Sequence, residues 1–135
     1  MARLLGSPET IAYIAARGAE PCGLVLLRRA GEDCEILTIG VTPAMRGRGV
    51  GAALLGAAGE WGARIGARAL VLEVATGNRP ALRLYEKCGF EKCGRRPAYY
   101  PGACDGAPRR DALILQRPLV RRGLERPASA EGAWR

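Results

Sequence analysis

The stretch Arg46-Gly47-Arg48-Gly49-Val50-Gly51 decides the fold of this 135-residue chain, because a strand pattern ends before it and a helical pattern follows it. Glycines let backbone N–H groups approach a bound anion closely. Beyond them, apolar side chains at helical spacing predict a helix over about 49–66: Val50, Leu54, Ala58, Trp61 and Ile65. Because the first N–H groups of a helix are unpaired and carry partial positive charge, this stretch predicts an anion site.

The residues before this stretch predict an antiparallel meander. Alternating apolar residues indicate strands at Thr10–Arg17, 22–29 and 34–41, and Gly, Glu and Asp residues at 18–21 and 31–33 indicate tight turns between them. Residues 1–8 are interpreted as the end of a helix followed by a turn at Gly6-Ser7-Pro8.

The residues after the first helix predict a parallel crossover and a closing hairpin. The apolar run at 69–74 is typical of a buried strand, and strand, helix and strand together favour a right-handed crossover with parallel strands. Asn78 and Gly89 are suited to begin and end a second helix. Residues 90–95 and 111–117 predict the last antiparallel pair. The fold class is therefore α/β, with a mixed sheet of six strands.

Length and composition indicate one domain at 1–117 and an Arg-, Pro- and Ala-rich tail at 118–135, which we expect to be mobile. No apolar run approaches the roughly 18–20 residues of a membrane span. The first residues do not resemble a secretory signal. A cytoplasmic location and no membrane partner are expected.

The residues that are absent exclude several chemistries. The chain has no histidine, so Ser-His-Asp and Cys-His catalysis and imidazole metal ligation are excluded. Its five cysteines contain no C-x-x-C pair, and we predict buried or half-buried free thiols and no metal. The net charge of +8, carried almost entirely by arginine, fits a polyanionic ligand. Direct nucleic-acid binding is disfavoured, since aromatics are few and no nucleic-acid-binding signature is present.

The glycine stretch also resembles other phosphate-binding motifs. A P-loop requires G-x-x-x-x-G-K-[ST], which is absent. Gly47, Gly49 and Ala52 satisfy the dinucleotide fingerprint, and Glu73 follows at about the right distance. However, residues 42–46 separate the strand from the first glycine, and too few residues follow for a doubly wound sheet. A plain glycine-rich turn with a solvated basic rim stays open.

The stretch also matches [RQ]-x-x-G-x-[GA], the cofactor signature of the GCN5-related N-acetyltransferase (GNAT) superfamily. Leu72-Glu73-Val74 and Leu84-Tyr85-Glu86-Lys87-Cys88-Gly89-Phe90 resemble further segments of that superfamily, in the same order. The resemblance extends from about 10 to 117. Segments 35–39, 72–74, 95–101 and 111–115 are most similar to the bacterial ribosomal-protein alanine N-acetyltransferases.

The resemblance implies a site for acetyl-CoA, with no metal. Its pyrophosphate would be bound by the signature residues, which are Arg46, Gly47, Arg48, Gly49, Val50, Gly51 and Ala52. The backbone N–H of Val41 would serve as oxyanion donor, with the pantetheine arm lying along its strand. Asn78 would contact the cofactor as well as cap its helix.

Two side chains are implied in the chemistry. Glu73 would act as general base through a water, although by position alone it could be an ordinary polar residue near a strand end. Tyr85 would act as general acid at the thioester sulfur. Its spacing with Ala81, Leu84 and Cys88 by itself favours a place in the core.

The function expected from the resemblance is acetyl transfer to a primary amine, and the narrower likeness implies the N-terminal α-amine of a protein such as a ribosomal protein. The alternatives are a non-catalytic acetyl-CoA-binding module and an acetyltransferase for a small amine. Without a first strand, Thr10–Arg17 would leave a sheet edge open, which predicts self-association as a homodimer.

Superfamily members normally have a strand and two helices before the point where this chain starts. Only residues 1–5 could be a remnant of the second helix, so the acceptor half of the site is expected to be incomplete. A naturally short form, a misplaced start codon and a degenerate protein that binds cofactor without efficient transfer all stay open.

Overall fold

A computed structural model of the chain describes residues 2–4, 9–100 and 109–120. The fold is the predicted α/β class, with two α-helices and a mixed sheet containing one parallel pair. The described residues divide into two compact units, one formed by those up to Leu70 together with 118–120, the other by those between 71 and 117.

The first unit is the predicted meander with one helix. Four strands pair antiparallel in chain order: β1 (Ala2–Leu4), β2 (Thr10–Arg17), β3 (Glu20–Ala30) and β4 (Asp33–Val41). A short 3-10 helix at Pro43–Met45 leads to helix α1 (Val50–Arg64). The glycine stretch of this unit therefore leads directly into α1.

The predicted helix end at the N-terminus is wrong, because Ala2–Leu4 forms a strand. Three residues are too few to show a helical or a strand period, and pairing with β2 determines their conformation. Ala2 is opposite Ile14 and Leu4 is opposite Ala12, so β1 covers this part of the β2 edge. The premise of the predicted homodimer, an uncovered β2, is thus also wrong. The predicted turn at Gly6-Ser7-Pro8 lies outside the described residues.

The core of the first unit lies between α1 and the strands. Ile11 faces Leu27 across β2 and β3, and both are almost fully buried. Leu54 and Leu55 of α1 are fully buried too, and α1 packs on β2, β3 and β4. The helix approaches the sheet closely at Gly23, where a Cβ atom would lie 2.9 Å from a methyl group of Val50. Because each of these elements buries one face, its apolar residues recur with a period of 2 in the strands and 3.6 in the helix. These periods are why the sequence predicted the elements.

The second unit carries the rest of the fold. Its elements are β5 (Ala69–Ala75), whose first two residues belong to the first unit, α2 (Arg79–Lys87), β6 (Glu91–Tyr100) and β7 (Arg110–Pro118). The strand order is β5-β7-β6, and β6 and β7 pair antiparallel as predicted. The left-handed residue Gly89 (φ 90°) follows α2, as expected.

The predicted domain boundary at Arg117 falls inside β7, which ends at Pro118. Leu119 is buried, and its N–H donates to the carbonyl of Arg68 at 2.8 Å. The tail from 121 onward lies outside the described residues. Neither helix in the described ranges is long and apolar enough to cross a membrane.

The cysteines follow the prediction with one exception. Cys22 and Cys34 are buried and Cys88 is half-buried, all as free thiols, whereas Cys93 is exposed. Cys93 lies on β6, where the sequence has no clear alternation to indicate which side chains point to solvent. Cys104 lies outside the described residues.

Burial raises the pKa of the Cys34 thiol to about 12, with Asp33 and Glu35 also raising it and Arg29 opposing them. A free thiol of pKa about 8.5 is roughly one quarter thiolate at pH 8, while a thiol of pKa about 12 is thiolate in roughly one molecule in 10⁴. We therefore expect iodoacetamide at pH 8 to modify Cys34 at least about 10³-fold more slowly than exposed Cys93. Peptide mass spectrometry would measure both rates, and the difference should vanish in denaturant. Similar rates in the native protein would contradict this prediction.

Candidate functional site

The glycine stretch forms a loop that ends as the cap of α1. Gly47 (φ 76°) and Gly49 (φ 84°) are both left-handed, a backbone conformation that residues with a Cβ rarely adopt. Gly49 is the N-cap of α1, and the N–H of Ala53 donates to its carbonyl at 3.0 Å. The N–H groups of the first turn therefore have no acceptor within the helix. This geometry is what an anion site at a helix start requires.

Arginines surround this loop. Arg46 Nε donates to the carbonyl of Val41 at 3.3 Å, which places its guanidinium beside the end of β4. Arg48 lines an open groove of about 370 Å³ with Gly49 and with Arg17 of β2. Among the described residues that line that groove, none is acidic. The loop thus combines free backbone donors with positive charge, as the sequence predicts for an anion site.

The end of β4 presents a backbone donor. The N–H of Thr42 donates to the carbonyl of Cys22 on the β3 side, at 2.9 Å. Successive N–H groups of a strand point to alternate sides, so the N–H of Val41 points away from β3. That direction would suit a ligand lying along the end of β4, and the role of this N–H as oxyanion donor stays a prediction.

Glu73 lies on β5 between two buried residues. Leu72 and Val74 face the core, and Glu73 is on the opposite face with Val71, as period-two alternation predicts. Its side chain is 28% exposed, and its Oε1 lies 3.1 Å from a guanidinium nitrogen of Arg96 on β6. Its role as base stays a prediction.

Tyr85 lies on α2 and is almost fully buried, in agreement with its spacing. Its ring meets that of Phe90 edge to face, with centroids 5.7 Å apart. The guanidinium of Arg117 lies 5.5 Å from the Phe90 ring centre and donates to the carbonyl of Cys88 at 3.1 Å. Burial lowers the pKa of Arg117. Arg117 thus closes the end of α2 and supports the aromatic pair that orients Tyr85.

Asn78 caps α2 as predicted, since its Oδ1 accepts from the N–H of Ala81 at 3.3 Å. A contact of Asn78 with the cofactor stays a prediction.

The predicted residues fall into two sets. Val41 and residues 46–52 belong to the first unit, and Glu73, Asn78 and Tyr85 to the second. Sequence reasoning missed Arg96 and Arg117 as site residues. The signals for Arg96 were the adjacent pair Arg95-Arg96 and the resemblance of segment 95–101, and neither indicates which acid the arginine meets.

The sequence relatives point to one family. Residues 2–90 match the acetyltransferase (GNAT) family. The chain is 40% identical over 117 residues to the N-alpha-acetyltransferase RimI of Mycobacterium tuberculosis, which covers 82% of this chain and 72% of that protein. The chain spans smaller parts of two further curated relatives, 28% of the length of one and 57% of the length of the other.

Solved structures agree with this match. The ribosomal-protein-S18-alanine N-acetyltransferase of Escherichia coli aligns with a TM-score of 0.77 at 25% identity, over 90% of this chain and 77% of that one. Nourseothricin acetyltransferase aligns at 0.74 and 36% identity, over 82% and 66%. A Bacillus subtilis acetyltransferase in complex with CoA aligns at 0.74 and 25% identity, over 82% and 78%. Together with the match over residues 2–90, these likenesses show that the chain belongs to the acetyltransferase (GNAT) family.

Proposed function

We propose that this chain transfers the acetyl group of acetyl-CoA to the N-terminal α-amine of a protein. The observation that carries the proposal is the glycine loop at the start of α1, with Gly47 and Gly49 left-handed, in a chain of the acetyltransferase family. The likeness to a structure that holds CoA supports the choice of cosubstrate.

The loop would bind the pyrophosphate of acetyl-CoA. The first-turn N–H groups of α1, at Val50, Gly51 and Ala52, would donate to phosphate oxygens, and Arg46 and Arg48 would supply counter-charge. The pantetheine arm would lie along the side of β4 that faces away from β3, where the N–H of Val41 points. That N–H would stabilise the oxyanion that forms on the thioester carbonyl.

The second set of residues would move protons. Glu73 would take a proton from the amine through a water, so that the neutral nitrogen attacks the carbonyl carbon. As the tetrahedral intermediate collapses, the attacking nitrogen gives up its extra proton to water, the C–S bond breaks and the coenzyme A thiolate leaves. Tyr85 would give this sulfur its hydroxyl proton, and an N-acetylated product and free coenzyme A result.

An α-amine suits this machinery better than a lysine. With pKa values of about 8 and 10.4, roughly one α-amine in ten but fewer than one lysine in 10³ is neutral at pH 7. A single carboxylate acting through water is then sufficient. The resemblance of segments 95–101 and 111–115 to the ribosomal-protein group supports a protein acceptor. A net charge of +8 would also draw the chain to a ribosome surface with exposed RNA phosphates.

The test offers three acceptors with acetyl-CoA: a peptide beginning Ala-Arg, the same peptide with a blocked N-terminus and a free lysine, and a panel of small amines including nourseothricin. We expect kcat/KM for the free α-amine to exceed that for the lysine by about 10²-fold, because of the neutral fractions. Mass spectrometry of the products locates the acetyl group.

Two other functions are outcomes of the same test. The likeness to nourseothricin acetyltransferase favours a small amine, and preferred acetylation of nourseothricin would replace the protein acceptor. Binding of acetyl-CoA without a single turnover on any acceptor would instead identify a non-catalytic module.

A further inference from the structure

The ion pair between Arg96 and Glu73 is the one contact that couples the candidate base to another charged side chain in the described part of the chain. A guanidinium nitrogen of Arg96 lies 3.1 Å from Oε1 of Glu73. The Arg96 side chain is 54% exposed and that of Glu73 is 28% exposed. The carboxylate is thus the more sheltered member of the pair, and the arginine reaches it from the solvent side.

The strand order of the sheet determines how the Arg96 side chain reaches Glu73. In the order β5-β7-β6, strand β7 separates the strands that carry Glu73 and Arg96. Neighbouring strands are about 4.8 Å apart, so these two lie roughly 10 Å apart, and only a long side chain can bridge them. Arg96 is directly opposite Ala112 of β7, which has no exposed surface. Because opposed residues share a face, the methyl group of Ala112 leaves room for the arginine to cross.

The preceding residue has a different partner. Arg95 Nε donates to Oδ2 of Asp111 at 2.6 Å. Successive residues of a strand point to opposite faces, so Arg95 cannot replace Arg96 beside Glu73. The two arginines share residue type, strand and degree of exposure, yet only one meets the candidate base. Arg95 therefore provides a matched control.

We propose that Arg96 is a positioning residue that holds the Glu73 carboxylate by Oε1, so that Oε2 faces the water that relays the amine proton. This inference rests on the proposed function, in which Glu73 is the general base. A glutamate has three side-chain torsions, and a single fixed oxygen removes most of that freedom. Arg96 itself touches neither amine nor thioester, and it acts only through the orientation of Glu73.

The experiment compares Arg96→Met, Arg96→Lys and the control Arg95→Met, using the full chain, acetyl-CoA and the preferred acceptor from the panel above. Arg96→Met should lower kcat about 10–10²-fold, the scale of a misplaced catalytic group. Its KM for acetyl-CoA should change by less than about twofold, because cofactor binding is untouched. Arg96→Lys should recover part of kcat, since an ammonium on a long stem can still reach Oε1. Arg95→Met should keep kcat.

A double-mutant cycle distinguishes positioning from an unrelated loss. In a Glu73→Gln background, Arg96→Met should have no further effect on kcat, because the group it positions is gone. Thermal unfolding of both Met variants should be similar, since each loses one partly exposed ion pair.

The outcomes separate the two ideas. If Glu73→Gln lowers kcat but Arg96→Met leaves it unchanged, the positioning role is wrong and Glu73 keeps its role. The same conclusion holds if Arg96→Met lowers kcat by the same factor in the wild-type and the Glu73→Gln backgrounds. If Arg95→Met lowers kcat as much as Arg96→Met, the effect belongs to the hairpin and the positioning role is again wrong. If Glu73→Gln retains full turnover, the proposed base is wrong and Arg96 loses its role with it.

Discussion

Replacing Glu73 with glutamine is expected to lower kcat by about 10²–10⁴-fold, the usual cost of a lost general base. The amide keeps the size of the side chain and can still accept from Arg96, but it cannot take a proton. Affinity for acetyl-CoA should stay near the wild-type value, because no cofactor contact is assigned to Glu73. The loss should be partly relieved at high pH, where the acceptor amine is already neutral.

Tyr85→Phe belongs to the same experiment and tests the other proton. The phenyl ring preserves the edge-to-face contact with Phe90, so the fold should hold while the acid is lost. A fall of kcat in the same range of about 10²–10⁴ is expected. Glu86→Gln is the matched control, because Glu86 is an exposed acid on α2 next to Tyr85. Steady-state kinetics measure kcat, and calorimetry measures the affinity for acetyl-CoA. Wild-type turnover in both Glu73→Gln and Tyr85→Phe would refute the assigned roles.

The second large effect is expected at Gly49. A leucine there must adopt φ near 84° or reorganise the loop, and its side chain would stand where phosphate oxygens approach the amides. Loss of two hydrogen bonds to a charged group, at roughly 1.5–3 kcal/mol each, corresponds to an affinity about 10²–10⁴-fold weaker. Calorimetry with coenzyme A would measure it.

The control for Gly49→Leu is Gly31→Leu. Gly31 has φ 61° in the turn between β3 and β4, at the opposite end of β4 from the loop. A Cβ at either glycine meets no atom within 4 Å, so the two substitutions impose similar backbone strain without a clash. Gly31→Leu should lower thermal stability and retain coenzyme A affinity. Unchanged affinity in Gly49→Leu would contradict the phosphate-loop assignment.

Local patterns account for the elements that the sequence predicted well. The strand at Thr10–Arg17 matches its prediction, and α1 lies within the predicted 49–66, because each buries one face and so repeats apolar residues at its own period. The cap at Asn78 and the left-handed Gly89 are similarly local, since a helix end needs particular residues within one turn. These features depend only on residues that are close together in the chain, so a single sequence is enough to predict them.

Features that depend on distant neighbours were missed. The short strand Ala2–Leu4 has no period of its own and exists through pairing with β2, and that pairing covers residues 12–14 of the edge that had suggested self-association. The exposure of Cys93 and the extension of β7 beyond Arg117 likewise follow from the register of β6 and β7 and from the packing of Leu119.

The sequence by itself determined the chemistry available to the candidate site: glycines and arginines before a helix, one carboxylate in an apolar strand, one tyrosine on the inner face of a helix. Only the tertiary structure decided which groups meet. Glu73 pairs with Arg96 because β7 lies between their strands and carries a small residue, Ala112. The Tyr85 ring contacts that of Phe90, and the Arg117 guanidinium contacts the Phe90 ring. Side-chain partners across a sheet are set by strand order and register, and these arise from packing of the whole chain rather than from any local run of residues.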